Sequence, residues 1–182
     1  MAVDAFLQFT KKGDGSVDLE GETKDETIGK DLPGPKPFQI EDWNFGVSQT
    51  LNIGSASGGA GAGKANFDPF HVKKNIDIAT PFLFKTCCVG GHYQDVILAV
   101  RRAGGTATQS GQVYLKFHFK LVAVANIAWS HGDPAPSEEI DFEYGALKFE
   151  YYPQKQTGGR QDSPETAQWD RVLNGAEFTA GL

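Results

Sequence analysis

"QVYLKFHFKLVAVANIAW", residues 112–129, is the stretch of this sequence that decides the fold. Every odd position from 113 to 129 is apolar, whereas Lys116, His118 and Lys120 lie at even positions. This alternation predicts a β-strand with one apolar and one polar face. Because an ordinary strand has about 5–6 residues, we expect this one to bend or to continue beyond its own sheet.

Alternation also marks strands before this stretch. The apolar residues at odd positions from 3 to 9 predict an opening strand, and Val17 and Leu19 predict a short second strand. A further strand is predicted from about residue 38 to residue 50. Its apolar residues change phase near residues 41 and 42, which predicts a bend or a bulge there.

A second change of phase marks the last predicted strand. Its apolar residues stand at even positions between 140 and 144 and at odd positions between 147 and 151. Gly145 and Ala146 lie where the phase changes, so we expect a bulge at these two residues.

One short helix is predicted in "TPFLFKTCCVGG", residues 80–91. Thr80 suits the N-cap, Pro81 suits the first helical position, and Gly90 can adopt the left-handed conformation that ends a helix. Its predicted apolar side comprises Leu83, Phe84, Cys87 and Cys88. The sequence therefore predicts a mainly β fold: an antiparallel β-barrel with one short side helix.

Length, composition and charge describe an ordinary soluble globular protein of one domain. The chain has 182 residues, is 40% hydrophobic and 22% charged, and carries a formal charge of -6. This negative charge argues against nucleic acid or an anionic membrane as a partner. No apolar run reaches the roughly 20 residues of a membrane-spanning helix. The start, "MAVDAFLQF", has no basic region typical of a secretory signal, so we expect a cytoplasmic protein.

The cysteines and histidines do not predict a metal site. Cys87 and Cys88 are adjacent, which favours two reduced thiols over a strained disulfide. The four histidines show no ligand spacing to one another or to these cysteines. We therefore expect neither a metal nor another cofactor.

A glycine run resembles a phosphate-binding loop in spacing but not in context. In "SGGAGAGKANF", residues 57–67, Gly58, Gly63 and Lys64 fit the pattern G-x-x-x-x-G-K. Ala65 stands where such loops have the Ser or Thr that binds magnesium, and the residues that follow suggest a strand rather than a helix. The sequence therefore favours a mobile surface loop over a nucleotide site.

Three acidic residues form the best catalytic candidate. Glu139, Asp141 and Glu143 share one face of a predicted strand, where alternate residues lie about 6.6–6.8 Å apart. Carboxylates at such a distance act in inverting glycosidases. Alternating acids are also the normal solvated face of a half-buried strand, and no groove is evident beside them. We expect no catalytic residues and a protein that is not an enzyme.

An ordered set of motifs resembles the Hcp family, the tube subunits of bacterial type VI secretion systems. The motifs are "GETKD" (21–25), "DWNFGVSQ" (42–49), "KKNIDIATPFLFKTCCVGGHY" (73–93), "RRAGG" (101–105), "FEYYPQK" (149–155) and "WDRVLN" (169–174). The resemblance covers residues 1–182 as one Hcp-like domain. It departs from the family in "GKDLPGPKP" (29–37), in "WSHGDPAPSEE" (129–139) and in the tail 175–182. Residues 11–36 and 130–138 are predicted loops of this domain.

The resemblance implies a β-barrel with a side helix that assembles into a hexameric ring. Such rings stack into a tube inside a contractile sheath, carry a VgrG-type spike at the tip and hold effectors in the lumen. The protein would be made in the cytoplasm and exported by the type VI system without a signal peptide. A tail-tube protein of a phage or phage-derived contractile particle and a carbohydrate-binding β-barrel module are the alternatives.

The resemblance also implies that the glycine-rich loop, residues 54–63, meets the adjacent ring. A connector between two strands is usually shorter than this loop, and small side chains leave its backbone amides available for hydrogen bonds. The predicted ring-stacking residues are Gly54, Ser55, Ser57, Gly58, Gly59, Gly61, Gly63 and Lys64.

Overall fold

A computed structural model describes residues 3–52, 61–62, 64–102, 111–131, 134–155 and 160–181. The first half of the chain forms strands β1 (Val3–Lys12), β2 (Phe38–Ile40), β3 (Asp42–Asn44), β4 (Val47–Ser48), β5 (Leu51–Asn52), β6 (Gly61–Ala62) and β7 (Asn66–Phe67) and the 3-10 helical turn Ile28–Lys30. The second half forms β8 (Phe70–Asn75), helix α1 (Thr80–Val89), β9 (His92–Arg102), β10 (Val113–Ser130), β11 (Ser137–Tyr151) and β12 (Glu165–Asp170).

Eight strands form one antiparallel sheet in the order β2-β1-β9-β10-β11-β8-β3, with β12 paired to β11. The edge strands β2 and β3 are consecutive in the chain and are separated only by Glu41. β2 pairs with β1 and β3 pairs with β8, so one segment joins the two edges and nearly closes the barrel. The predicted bend near residues 41 and 42 and the predicted antiparallel barrel with one side helix are therefore confirmed.

Strand β10 has the predicted length but changes phase at Leu121. Phe117 and Phe119 are buried at odd positions, whereas Val122 and Val124 are buried at even positions. Leu121 has a φ of 51°, in the left-handed region, and this conformation reverses the face on which the following side chains lie. The prediction that odd positions stay on the apolar face to residue 129 is wrong.

The kink that the left-handed conformation of Leu121 makes in β10 also brings this strand against Gly145 of β11. A Cβ atom at Gly145 would lie 2.9 Å from the Cβ of Ala180 and 3.1 Å from that of Leu121, so close packing requires a glycine here. The register of β10 and β11 runs unbroken past this point, and its shift lies between Val124 and Asn126. The bulge predicted in β11 is therefore wrong, and the irregularity belongs to β10.

Helix α1 has the predicted bounds but a different cap. Gly90 ends the helix with a φ of 67°, as predicted. Thr80 is already helical and Ala79 is the N-cap residue, so the predicted role of Thr80 is wrong. The Thr80 hydroxyl donates instead to Oε1 of the buried Glu138, at 2.8 Å.

The buried side of α1 also differs from the prediction. Leu83 is buried as expected, and Cys87 packs partly buried against the core. Phe84 is 49% exposed and Cys88 is exposed, whereas Thr86 is buried. The prediction from periodicity is wrong because this helix carries apolar residues on its exposed side as well, among them Phe82 and Val89, and the barrel covers one side alone.

The helix covers an edge of β10 that no strand pairs with in the described residues. β9 pairs with β10 as far as the pair formed by His92 and Ala123. Beyond that pair α1 packs against β10, and the rings of Phe84 and Trp129 lie 5.8 Å apart. A helix over a strand edge prevents that edge from pairing with another chain.

The segment between β1 and β2 has no strand, so the short strand predicted at Val17 and Leu19 is wrong. Leu19 is nevertheless buried in the barrel core. Further along, Ile28 and Leu32 pack with Phe6 in a second, smaller apolar cluster. This segment therefore covers apolar side chains that the main core does not hold.

Candidate functional site

Strands β4 to β7 form two short two-stranded ladders outside the barrel sheet, and we call their described residues, 47–52, 61–62 and 64–67, the ribbon. Val47 pairs with Phe67 in one short ladder, and Leu51 pairs with Ala62 in the next. Val47 is 62% exposed and Leu51 is 55% exposed. The ribbon therefore presents large apolar side chains to solvent.

Two of the predicted ring-stacking residues lie within the described residues. Gly61 belongs to β6, and Lys64 lies exposed before β7. The other six, Gly54, Ser55, Ser57, Gly58, Gly59 and Gly63, lie outside the described residues. A strand follows Lys64, as the argument against a phosphate-binding loop required. The contact of the glycine-rich loop with another ring stays a prediction.

A cavity of about 490 Å³ lies at the root of the ribbon, and we call it the root pocket. Its lining residues are Lys64, Ala65, Asn66, Phe67, Tyr144, Arg171 and Val172. The ribbon, strand β11 and the turn after β12 each contribute to this lining. The sequence pattern gave no signal for the pocket, because its members come from three separate segments.

Arg171 is the most constrained side chain of the root pocket. Its Cζ atom lies 5.4 Å from the ring centroid of Phe67 and 4.8 Å from that of Tyr144. Its Nη1 donates to the backbone oxygen of Tyr144 at 2.7 Å and to Oε2 of Glu143 at 3.1 Å. Two aromatic rings and two acceptors therefore hold one end of the guanidinium.

Tyr144 supplies a neutral wall to the root pocket. Burial raises the pKa of its phenol to about 12. Its hydroxyl donates to the backbone oxygen of Asp68 at 3.2 Å. Since this tyrosine stays uncharged at physiological pH, the two cations Lys64 and Arg171 determine the charge of the lining.

The turn that carries Arg171 is fixed by the preceding residue, Asp170, which is fully buried. Its carboxylate accepts the backbone N–H groups of Val172 and Leu173, each at 2.9 Å, and that of Ala180 at 2.7 Å. Burial acts to raise the pKa of Asp170, but these hydrogen bonds outweigh it and hold the pKa below its ordinary value. Asp170 therefore ties the tail to the end of β12.

The three acids proposed as a catalytic alternative do not act together. Asp141 lies 2.7 Å from Nδ1 of His71, and Glu143 accepts from Arg171. Glu139 is exposed. Each carboxylate thus has its own surroundings, which favours the solvated strand face over a glycosidase pair.

Two of the quoted sequence motifs meet at Arg101. Its Nη2 contacts the carboxylates of Asp4, at 2.9 Å, and of Asp25. Its Nη1 donates to the Thr27 hydroxyl at 3.0 Å. The hydrogen bond from Arg101 holds the pKa of Asp25 well below its usual range. Asp25 of "GETKD" and Arg101 of "RRAGG" therefore form a clamp that fastens the segment before β2 to the barrel.

A second buried ion pair lies under the start of α1. The Nζ atom of Lys74 lies 2.5 Å from Oε1 of Glu138 and 2.8 Å from Oδ2 of Asp77. Nε1 of Trp129 donates to the other oxygen of Glu138 at 3.1 Å. Lys74 is 2% exposed and Glu138 is 0% exposed. This network joins β8, β10, β11 and the residues that lead into the helix.

The described residues contain no group of three or more His, Cys, Asp or Glu side chains placed to hold a metal ion. Cys87 and Cys88 are free thiols. In the same part of the chain, no helix combines the length and apolarity that crossing a membrane requires.

Residues 6–151 match the family model described as "Type VI secretion system effector, Hcp". The chain belongs to the Hcp family. The resemblance seen in the sequence motifs is thereby confirmed. Hcp is a family of secreted structural proteins of the type VI secretion tube and not a family of enzymes.

Relatives and solved structures agree with this Hcp assignment. The chain is 30% identical to Protein hcp1 of Pseudomonas aeruginosa over 172 residues, which cover 93% of this chain and 96% of that one. Hcp1 from Salmonella typhimurium superposes with a TM-score of 0.69 at 27% identity, covering 97% of this chain and 100% of that one. A type VI secretion system effector from Yersinia pestis has the same fold, with a TM-score of 0.64, 23% identity and coverage of 92% and 99%.

Proposed function

We propose that this protein is the subunit of the inner tube of a type VI secretion system. Six copies form a ring, and rings stack into a conduit that is ejected and can carry effectors. The tube lies inside a contractile sheath and bears a VgrG-type spike. The protein is made in the cytoplasm, leaves through its own machine and catalyses no reaction.

The exposed apolar ribbon is the observation that carries this proposal. Val47 and Leu51 are large apolar residues that a single subunit leaves largely in solvent. Large apolar side chains that a single subunit leaves in solvent on a projecting segment suit a surface that contacts another protein. In a tube of identical subunits, a neighbouring copy would cover this ribbon.

The outer edge of β12 supports the formation of rings. In the described residues β12 pairs with β11 on one side alone, and its positions 165–168 are exposed. An unpaired strand edge is a ready surface for pairing with another chain. Head-to-tail contact between identical subunits closes into a ring when the rotation permits it.

We assign the contact between rings to the glycine-rich loop, residues 54–63, together with Lys64. Strand β5 ends at Asn52, shortly before this segment, and β6 (Gly61–Ala62) belongs to its last residues. Its small side chains leave backbone amides that could pair with a neighbouring ring. The assignment agrees with the exposed side chains on the ribbon that carries the loop.

Replacement of residues 55–62 by a two-residue turn tests this function. We expect the variant to form six-fold rings in negative-stain images and sedimentation velocity, but neither to grow tubes nor to be secreted into the culture medium. The wild-type protein is the control and should do all three. Uniform wild-type monomers would contradict the tube function, and a monomeric variant would assign the loop to the contact within a ring. Normal tubes and secretion from the variant would reduce the loop to a connector.

A further inference from the structure

We propose that the root pocket is a carboxylate-binding site, and that it takes an acidic side chain from a second copy of this chain. The pocket lies between the ribbon, β11 and the turn after β12. The proposal rests on the proposed stacking of rings and names a chemical contact that would hold the stack. Charge, geometry and position each support it.

The charge of the pocket is opposite to that of the whole chain. The lining contains Lys64 and Arg171 and no acidic side chain, whereas the chain as a whole carries a net charge of -6. Glu143 pairs with Arg171 from outside the lining, but it is 48% exposed and therefore offsets the positive charge only in part. A local cationic site in an acidic protein attracts a negatively charged partner.

The guanidinium of Arg171 is held in place for a second acceptor. The rings of Phe67 and Tyr144 lie 5.4 and 4.8 Å from its Cζ atom, and the hydrogen bonds found within the described residues use Nη1. Nη2 and Nε are then the donors left for a ligand. A planar guanidinium that is already ordered binds a carboxylate through two parallel hydrogen bonds and loses little entropy.

The surroundings of the pocket favour a peptide over a small free anion. A volume of about 490 Å³ falls within the range of about 300–1,000 Å³ of sites that enclose an organic ligand. The exposed side chains of Val172 and Leu173 adjoin it on the turn, and the exposed Val47 lies across the ribbon from Phe67. A phosphate ion would leave these apolar groups in water, whereas a peptide segment would cover them.

A second copy is the occupant because the pocket continues the surface that we assign to stacking. Lys64 belongs both to that surface and to the pocket lining. The chain also carries many exposed carboxylates that a neighbouring copy could insert. Among the exposed acids of the described residues are Glu20, Glu22, Glu139, Glu165 and Glu177.

Titration with a hexaglutamate peptide tests the ligand class on the full-length protein. We expect calorimetry to show that hexaglutamate binds and that hexaglutamine does not. Lys64→Gln should weaken binding about tenfold, which is a typical effect of losing one charged contact. Arg171→Lys should weaken it about threefold, because lysine keeps the charge but not the planar fork. Lys85→Gln, which removes one exposed positive charge on α1, is the matched control and should bind as the wild type does.

Sedimentation velocity then tests the second copy as the source. Hexaglutamate should convert stacked wild-type rings into single rings, and Lys64→Gln should shift the protein to single rings without any peptide. Equal hexaglutamate affinity of wild-type, Lys64→Gln and Arg171→Lys proteins would overturn the site. Peptide binding that leaves the stacks intact would overturn the second copy as occupant while the tube function stands. A wild-type protein that never assembles would overturn the tube function and the second-copy occupant together, and the titration would still decide the ligand class.

Discussion

Strand β11 carries two ion pairs that differ in burial. Lys74 and Glu138 are 2% and 0% exposed, whereas Arg171 and Glu143 are 25% and 48% exposed. Both pairs join a cation to a carboxylate within about 3.1 Å. A buried pair cannot lose one partner without leaving a charge in a poor solvent, whereas water can replace a partner in an exposed pair. The first pair is therefore part of the fold, and the second can exchange a partner for water.

Removing the cation of the buried pair should have the largest effect. Lys74→Met keeps the length of the side chain but leaves the carboxylate of Glu138 buried without its cation. We expect the free energy of unfolding to fall by about 3–5 kcal/mol, measured by urea denaturation.

Glu143→Gln breaks the exposed pair from its carboxylate side. It should alter the free energy of unfolding by about 1 kcal/mol or less. Similar losses for Lys74→Met and Glu143→Gln would show that burial does not separate the two pairs. Recovery of stability in the double variant Lys74→Met with Glu138→Leu would support the unpaired charge as the cause.

Truncation on the buried side of α1 should lower the free energy of unfolding more than truncation on its exposed side. Leu83 is buried against the barrel, so Leu83→Ala should lower the free energy of unfolding by about 2–5 kcal/mol. Phe84→Ala removes more atoms but from an exposed position, and its cost should be about 1 kcal/mol or less. Chemical denaturation of both variants is the measurement. A change below about half a kcal/mol for Leu83→Ala would mean that another face of the helix supports it.

The stability that the turn carrying Arg171 gives to the protein should depend on pH, because Asp170 holds this turn. The folded pKa of this carboxyl lies below its unfolded value, so its contribution is complete above about pH 4–5 and is lost as pH falls through the folded pKa. Asp170→Asn should lower the free energy of unfolding by about 1–3 kcal/mol at pH 7.

The difference between the Asp170→Asn and wild-type proteins should shrink as pH falls below about 4. Denaturation curves at pH 7 and at decreasing acidic pH measure this difference. A difference that stays constant over this range would show that the charge of Asp170 does not hold the tail.

The smallest expected effect concerns nucleotides. The strand after Lys64 and the missing Ser or Thr leave no phosphate cradle, so ATP with magnesium should give no micromolar binding in calorimetry. The Lys64→Ala variant is titrated with ATP and magnesium in the same way for comparison. Micromolar binding that this variant abolishes would contradict the prediction and would also make the root pocket a nucleotide site.

The alternation of apolar residues was enough to predict the barrel. It identified β1, β10, β11 and the bend at Glu41 that lets one segment join both sheet edges. Pro81 and Gly90 set the bounds of α1, because each residue has a restricted or unusual backbone conformation. The ordered motifs identified the family before the fold was known.

Several features depended on tertiary contacts that no sequence pattern records. Leu121 adopts a positive φ in the kink that packs against Gly145. The predicted buried face of α1 was wrong because the helix also carries apolar residues on its exposed side, among them Phe82, Phe84 and Val89. Lys74 and Glu138 look like solvated charges in the sequence, and they are buried because each neutralises the other.

The sequence by itself determined β1, β10 and β11, the helix bounds and the family, because these follow from local periodicity, backbone preference and the order of motifs. The tertiary structure alone decided the root pocket and the roles of the charged residues. Lys64, Tyr144 and Arg171 lie far apart in the chain and act together because the barrel brings the ribbon, β11 and the turn after β12 to one place. Burial and charge compensation depend on such distant neighbours, so local sequence patterns do not encode them.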